Sequence, residues 1–257
     1  MNKVFQTFDE AVADIPDGAS IGMDSWAIAV TPQNLIHALR RKGVKDLTIV
    51  THCLIPVIWP EDKAVSPSVL LPQVKKVITS VVGIQQLGAG AFLQEHIERG
   101  LEVELTSTGT LSSRLYAGAA RLAGFYNPVG VGTVLEEGKE KRVFDGMEYL
   151  LEKPIRVDYA FITAHKADGM GNLVYQGICR GDHPMMAMAA DVTIAEVDRI
   201  VETGELDSES IVTPGIFVDR IVEIPESGYG TARKLKDLIT ALAEIEDAKR
   251  LMFREGR

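Results

Sequence analysis

Among the side chains able to do chemistry, five histidines, two cysteines and a few clustered hydroxyls and carboxylates stand out. Only His52 and His165 fall at the ends of segments that read as strands, where site residues collect in open α/β sheets. His52-Cys53 suggests a base beside a thiol, yet adjacent residues on a strand point to opposite faces, so the two do not make a dyad. Cys179, with Arg180 as its charged neighbour, reads as a small buried apolar residue. Glu102 and Glu104 alternate with Leu101, Val103 and Leu105, which puts both carboxylates on the solvent phase of a strand. The next stretch, Thr106-Ser107-Thr108-Gly109-Thr110, reads as a hydroxyl-rich loop able to bond its own backbone or a ligand. Gly130 and Gly132, within Asn127-Pro128-Val129-Gly130-Val131-Gly132-Thr133, invite a phosphate reading. A tight backbone turn comes first, because the third glycine of a dinucleotide fingerprint is missing. The sequence has no Gly-x-Ser-x-Gly elbow, no Walker loop and no metal-ligand spacing. It offers loops without a complete catalytic set.

The elements that must position these residues start with residues 17–51. Ser20–Met23 reads as a short apolar strand, and Thr31-Pro32 supplies a helix N-cap followed by proline at the first helical position. Leu35, Ile36 and Leu39 recur at helical spacing, Arg40-Arg41-Lys42 suit the negative end of the dipole, and Gly43 ends the helix. Residues 47–50 form a second strand, so loop 24–30 lies at the carboxyl edge of a parallel pair.

Around this unit the sequence predicts a short helix over 2–15 and a long loop over 54–72, either a surface insertion or a segment covering a site or partner. A strand over 77–82 and a helix over 92–99 follow, then the Glu102/Glu104 strand and a helix over 111–122. Asp145-Gly146 marks a two-residue hairpin, and Gly169-Met170-Gly171-Asn172 reverses the strand carrying Tyr159, Phe161 and Thr163. Residues 184–190 read as a helix, 192–195 and 217–222 as strands, and 231–254 as an amphipathic helix. Strands alternating with helices predict an α/β fold: an open, largely parallel sheet flanked by helices, with a small β-hairpin region and a C-terminal amphipathic helix. We expect a main domain over 1–225 and a helical extension over 226–257.

Composition narrows the function classes. With 46% hydrophobic residues in 257 the chain can bury one sizeable core. A formal charge of −9, and no basic run longer than Arg40-Arg41-Lys42, argue against nucleic-acid binding. No apolar run approaches the roughly 18 residues of a membrane span. Two cysteines and no apolar leader at Met1 fit a reduced cytoplasm.

Many ordered segments carry a resemblance: Pro32-Gln33-Asn34-Leu35-Ile36, Gly43-Val44-Lys45-Asp46-Leu47-Thr48, Glu137-Gly138-Lys139, Phe144-Asp145-Gly146, Gly171-Asn172-Leu173-Val174-Tyr175 and Thr213-Pro214-Gly215-Ile216-Phe217-Val218-Asp219. Together they resemble the alpha (A) subunit of family I coenzyme A transferases of the 3-oxoacid type, from about Asn2 to Val222. The resemblance implies a B (beta) subunit partner, in a heterodimer or heterotetramer, and a coenzyme A thioester as substrate rather than a bound cofactor. It also implies ping-pong transfer to a carboxylic acid through a glutamate in a Ser-Glu-Asn-Gly motif of the B half. No such motif occurs here, which is what the A half predicts and why no catalytic residue is assigned to this chain.

Three departures fall at one predicted sheet edge. Asp24-Ser25-Trp26 stands where the family has Gly-Gly-Phe, His52-Cys53 where it tends to have two asparagines, and Thr108 where it has a glutamine. Asp24, Ser25, Trp26, His52 and Thr108, with Gly130 and Gly132, are therefore the expected substrate-binding residues, in an altered acyl pocket. Exchanging amide donors for a hydroxyl or an imidazole costs about 1–3 kcal/mol wherever a buried polar atom loses its partner. A diverged hydrolase, C–C bond-cleaving enzyme or decarboxylase is the alternative, with Glu104 or His52 then supplying acid–base chemistry; a purely structural, non-catalytic role and an unrelated nucleotide binder remain open.

Overall fold

A computed structural model of the chain describes residues 2–25, 30–54, 66–83, 91–226, 230 and 236. The strands are β1 (Val4–Phe5), β2 (Ser20–Met23), β3 (Leu47–Leu54), β4 (Val74–Val82), β5 (Glu102–Leu105), β6 (Phe125–Asn127), β7 (Lys141–Phe144), β8 (Met147–Glu152), β9 (Val157–Asp168), β10 (Leu173–Val174), β11 (Ala190–Val201) and β12 (Arg220–Glu223). The helices are α1 (Phe8–Ala11), α2 (Gln33–Lys42), α3 (Ala91–Glu98), α4 (Thr108–Ala119) and α5 (His183–Ala189). One sheet runs β1-β12-β11-β9-β2-β3-β4-β5, with β10 folded back antiparallel on β9. Every other pairing in it is parallel, as the alternating pattern predicted. The small antiparallel sheet β6-β8-β7 stands apart from it.

From β2 the chain steps outward to β3, β4 and β5, whereas from β9 it steps the other way to β11 and β12. Crossovers of one hand that travel in opposite directions place their helices on opposite faces. The two faces accordingly carry separate cores, one built on Leu35, Ile36 and Leu39 of α2 and the other on Leu111 and Leu115 of α4 with Met186 of α5. The reversal between β9 and β2 is a topological switch point, where the carboxyl edge opens a crevice.

Several boundaries differ from those predicted. In place of a helix over 2–15, the chain adds β1 beside β12 and then makes only the short α1, with Thr7 and Glu10 forming a capping box. Parallel pairing with β12 takes the backbone bonds that a longer helix would have used. Helix α2 begins one residue later than expected, with Pro32 in the cap position and no side-chain cap of its own. Its N-terminus is held instead by Glu196 of β11, whose Oε2 accepts from the backbone N–H of Asn34 at 2.9 Å and of Leu35 at 3.1 Å. Gly43 ends the helix in the left-handed region at φ +75°, as predicted.

Only Thr106 and Ser107 of the 106–110 segment are loop: Ser107 caps α4 through the Thr110 N–H, so Thr108 sits in the first turn. The final strand is Arg220–Glu223 rather than 217–222, because Gly215–Phe217 closes a 3₁₀ turn first. Of the 54–72 loop, Pro67–Gln73 is a 3₁₀ helix that buries Leu70 and Leu71 in the core, and 55–65 lies outside the described residues. The expected tail helix at 231–254 lies outside them too, apart from Lys236. The Asp145-Gly146 hairpin is present, with both residues at positive φ, 49° and 79°. Among the described residues no helix is long and apolar enough to cross a membrane.

Glu196 is fully buried, so its removal strands backbone donors that water cannot reach. Replacing Glu196 with Ala should lower unfolding free energy by about 2 kcal/mol or more, and Glu196→Gln, which keeps an acceptor, by less. Urea midpoints of the two variants check this, and equal losses would contradict the capping role.

Candidate functional site

The carboxyl ends of β2, β3 and β5, with the turn before α5, converge on one cleft of about 180 Å³. Asp24, His52, Thr108, Ser112, Gly181 and Asp182 line it. Asp24 follows β2 directly, His52 lies near the end of β3, Thr108 and Ser112 are on α4, and Asp182 occupies the N-cap position of α5. Three residues chosen from sequence, Asp24, His52 and Thr108, are thereby brought together.

A single carboxylate organises the polar groups. Asp182 Oδ2 lies 2.7 Å from His52 Nε2 and accepts a hydrogen bond from the Ser112 hydroxyl at 2.5 Å. Burial pushes the Asp182 carboxyl up, but the His52 and Ser112 hydrogen bonds and the His52 charge outweigh it, leaving the carboxyl below its ordinary range. An ionised Asp182 requires a proton on His52 Nε2, so in the neutral ring Nδ1 is the acceptor. That atom is buried without a hydrogen bond among the described residues. The backbone N–H of Asp182 donates to Asp24 Oδ2 at 2.8 Å, joining the two carboxylates through the chain rather than through a proton. The approach is close enough that a Cβ on Gly181, itself at φ +43°, would meet Asp24 Oδ2 at 2.1 Å. Glycine is thus required where Asp24 reaches the α5 turn.

Thr108 donates to the Ser80 hydroxyl at 3.1 Å, and Ser80 donates to the His52 carbonyl at 2.8 Å, which ties α4 to β3 through β4. Ser25 does not line the cleft. Its hydroxyl bonds the Cys53 carbonyl and the Thr51 hydroxyl and accepts the Cys53 N–H at 3.1 Å, stitching the loop after β2 onto β3. Trp26 lies outside the described residues. Gly130 and Gly132 make the turn between β6 and a 3₁₀ segment at φ +96° and +75°, and neither lines this cleft.

Glu104 is not free in solvent, as its alternation suggested. It bridges Lys76 and Arg114, each at 2.7 Å, and these cations outweigh the upward push of burial, so its carboxyl is lowered. It does not line the cleft. Nor does His165, which pairs with Asp198 at 3.0 Å. Cys53 and Cys179 are buried, and burial, with help from Asp24, raises the Cys53 thiol to about 11. Among the described residues no group of three or more His, Cys, Asp or Glu is placed to hold a metal ion.

Sequence reasoning missed Ser112, Gly181 and Asp182. For Asp182 a signal existed, since aspartate just ahead of His183-Pro184 is N-cap chemistry before a first-turn proline. For Ser112 and Gly181 only the packing of α4 against α5 supplies the reason.

An open parallel sheet with a polar cleft at its carboxyl edge is an α/β architecture of the kind in which ligands usually sit at that edge. A sequence model of the family described as coenzyme A transferase matches residues 5–224. The A subunit of the succinyl-CoA:3-ketoacid coenzyme A transferase of Helicobacter pylori is 39% identical over 222 residues, which cover 86% of this chain and 92% of that protein. The alpha subunit of the acetate CoA-transferase of Escherichia coli K12 is 39% identical over 227 residues, covering 88% of this chain and all of that one, 100%. The solved acyl-CoA transferase YdiF of E. coli O157:H7 superposes with a TM-score of 0.75 at 22% identity, over 90% of this chain and 49% of that polypeptide, so this chain spans about half its length. The chain belongs to the coenzyme A transferase family.

Two measurements test the site's electrostatics. Since the folded Asp182 carboxyl lies below its unfolded value of about 3.9, its contribution to stability is present above that pH and is lost as pH falls through the folded value. Asp182→Asn should therefore cost about 1–3 kcal/mol at neutral pH, with the gap to the parent closing as pH falls below about 4 in urea titrations. With its thiol near 11, Cys53 holds roughly a hundredfold less thiolate at pH 8 than an ordinary cysteine. Alkylation of Cys53 by iodoacetamide in the native protein should be slower than in the unfolded chain by at least that factor, as followed by peptide mass.

Proposed function

We propose that this chain is the A subunit of a heteromeric CoA-transferase, and that Asp24, His52 and Thr108, with Asp182 and Ser112, form one wall of an altered acyl site. The observation that carries this is their convergence: three positions where the resemblance implies a departure from the family pattern lie on three different elements yet line one cleft. Drift scattered over a surface would not meet in one place.

In the proposed reaction the attacking carboxylate belongs to a glutamate of the B subunit. It adds to the thioester carbonyl of an acyl-CoA and expels CoA thiolate, leaving an acyl–glutamyl anhydride. The thiolate then attacks the glutamyl carbonyl, releasing the first carboxylic acid and leaving a glutamyl–CoA thioester. A second carboxylate repeats both steps in reverse and departs as the new acyl-CoA, with the glutamate restored. Each addition develops negative charge on a carbonyl oxygen, and donors already fixed in place stabilise it best. On this wall the donors are the backbone N–H groups of Thr108 and Gly109 at the start of α4, which no carbonyl within the helix can satisfy. Asp182 fixes the imidazole and the Ser112 hydroxyl, so both hold their orientation while charge develops.

The test is to co-express the chain with a B-type partner, incubate it with an acyl-CoA and no acceptor acid, and add borohydride. Reduction of a glutamyl thioester to an alcohol should abolish CoA exchange, and omission of the acyl-CoA should protect. Full activity after this treatment, or turnover by this chain alone, would overturn the proposal.

A further inference from the structure

Beside the polar cleft, and sharing Ser112 with it, a second hollow of about 410 Å³ opens between α4, α5 and the start of β6. Its walls are Tyr116, Ala117, Leu122, Phe125 and Met185, with Ser113 beside them. This volume lies within the range of small-molecule pockets, which are mostly apolar with a few polar groups at one end. Tyr116 and Leu122 are 58% and 47% exposed, so large apolar groups meet water where the hollow opens. Among the described residues lining either space there is no lysine or arginine, while the cleft presents the carboxylates of Asp24 and Asp182. A second carboxylate or a phosphate placed there would face the carboxylates of Asp24 and Asp182.

We propose that the acyl group taken by this site is uncharged beyond its reacting carbonyl and carries an extended apolar or aromatic tail, seated in the hollow between α4 and α5. This rests on the cleft being the acyl site. The shared Ser112 sets the geometry: the reacting end lies by His52 and Thr108, and the tail leaves past Ser112 toward Tyr116 and Met185. The Asp24 and Asp182 carboxylates disfavour dicarboxylic acyl groups, and short acyl groups leave the apolar walls unfilled.

The experiment uses the heteromer with its B-type partner and acetate as the fixed acceptor, comparing kcat/KM for succinyl-CoA, butyryl-CoA, octanoyl-CoA and phenylacetyl-CoA. Octanoyl-CoA or phenylacetyl-CoA should exceed succinyl-CoA by at least about tenfold, the scale of discrimination a pocket of this type supplies. Ser113 is exposed, so Ser113→Trp fills the hollow without disturbing the core and should lower the octanoyl-to-butyryl ratio by about tenfold or more. Asp24→Asn keeps an oxygen for the Asp182 N–H but removes one charge, and should raise the succinyl-to-butyryl ratio. A preference for succinyl-CoA, or an octanoyl-to-butyryl ratio unmoved by Ser113→Trp, overturns the inference while transfer itself still stands. Absence of transfer with every donor overturns the transferase reading and this inference with it.

Discussion

A carboxylate with no exposed surface, Glu196, holds the N-terminus of α2 against β11. Desolvating an anion is costly, and here two backbone N–H groups and the positive end of the helix dipole offset that cost. The arrangement carries information as well as energy. The first turn of α2 must lie over β11, on the far side of the switch point from β3, the strand that α2 leads into. That fixes where the chain arrives after β2, and so where Asp24 leaves the sheet.

The same edge receives α5 from the opposite face. Asp182 is the residue at its N-cap position, and the carboxylate turns away from its own helix to take His52 and Ser112. An N-cap aspartate ordinarily bonds the N–H groups of its first turn, but here no such side-chain bond forms. The strand β3 and helix α4 have claimed it. Local helix stability has been exchanged for a connection among three elements, and Gly181 lets that connection close by admitting Asp24. This is a local rule broken where a site is built, the pattern expected of functional positions.

Much of this was legible from residues alone, for identifiable reasons. Leu35, Ile36 and Leu39 gave α2 its face, Gly43 its end, and Asp145-Gly146 the hairpin, because each depends on chemistry within a few residues. The parallel sheet followed from alternation of elements. What could not be read was contact across the sheet: Glu196 lies 161 residues beyond Leu35, and Asp182 lies 130 beyond His52. The short α1 was misjudged for the same reason, since β12, which captures β1, comes at the other end of the domain. Within the site, the departures that the resemblance implied pointed to Asp24, His52 and Thr108, whereas Ser112 and Gly181 carry no local signal. Glu104 looked solvated because alternation reports a face and not the Lys76 and Arg114 that share it.

These constraints bear on which atom could attack a thioester. Asp182 Oδ2 already receives two donors, and a carboxyl held below its ordinary range is a weaker nucleophile as well as a weaker base. Glu104 is held between two cations away from the cleft, and the Cys53 thiol, raised to about 11, supplies almost no thiolate. Ser112 gives its proton to a carboxylate rather than to His52, so the Ser–His–Asp composition of the cleft does not have the connectivity of a nucleophilic triad. Asp182, Ser112 and Glu104 are thereby each committed to holding another group in place. Such a surface is suited to orienting a carbonyl and stabilising the charge that forms on it.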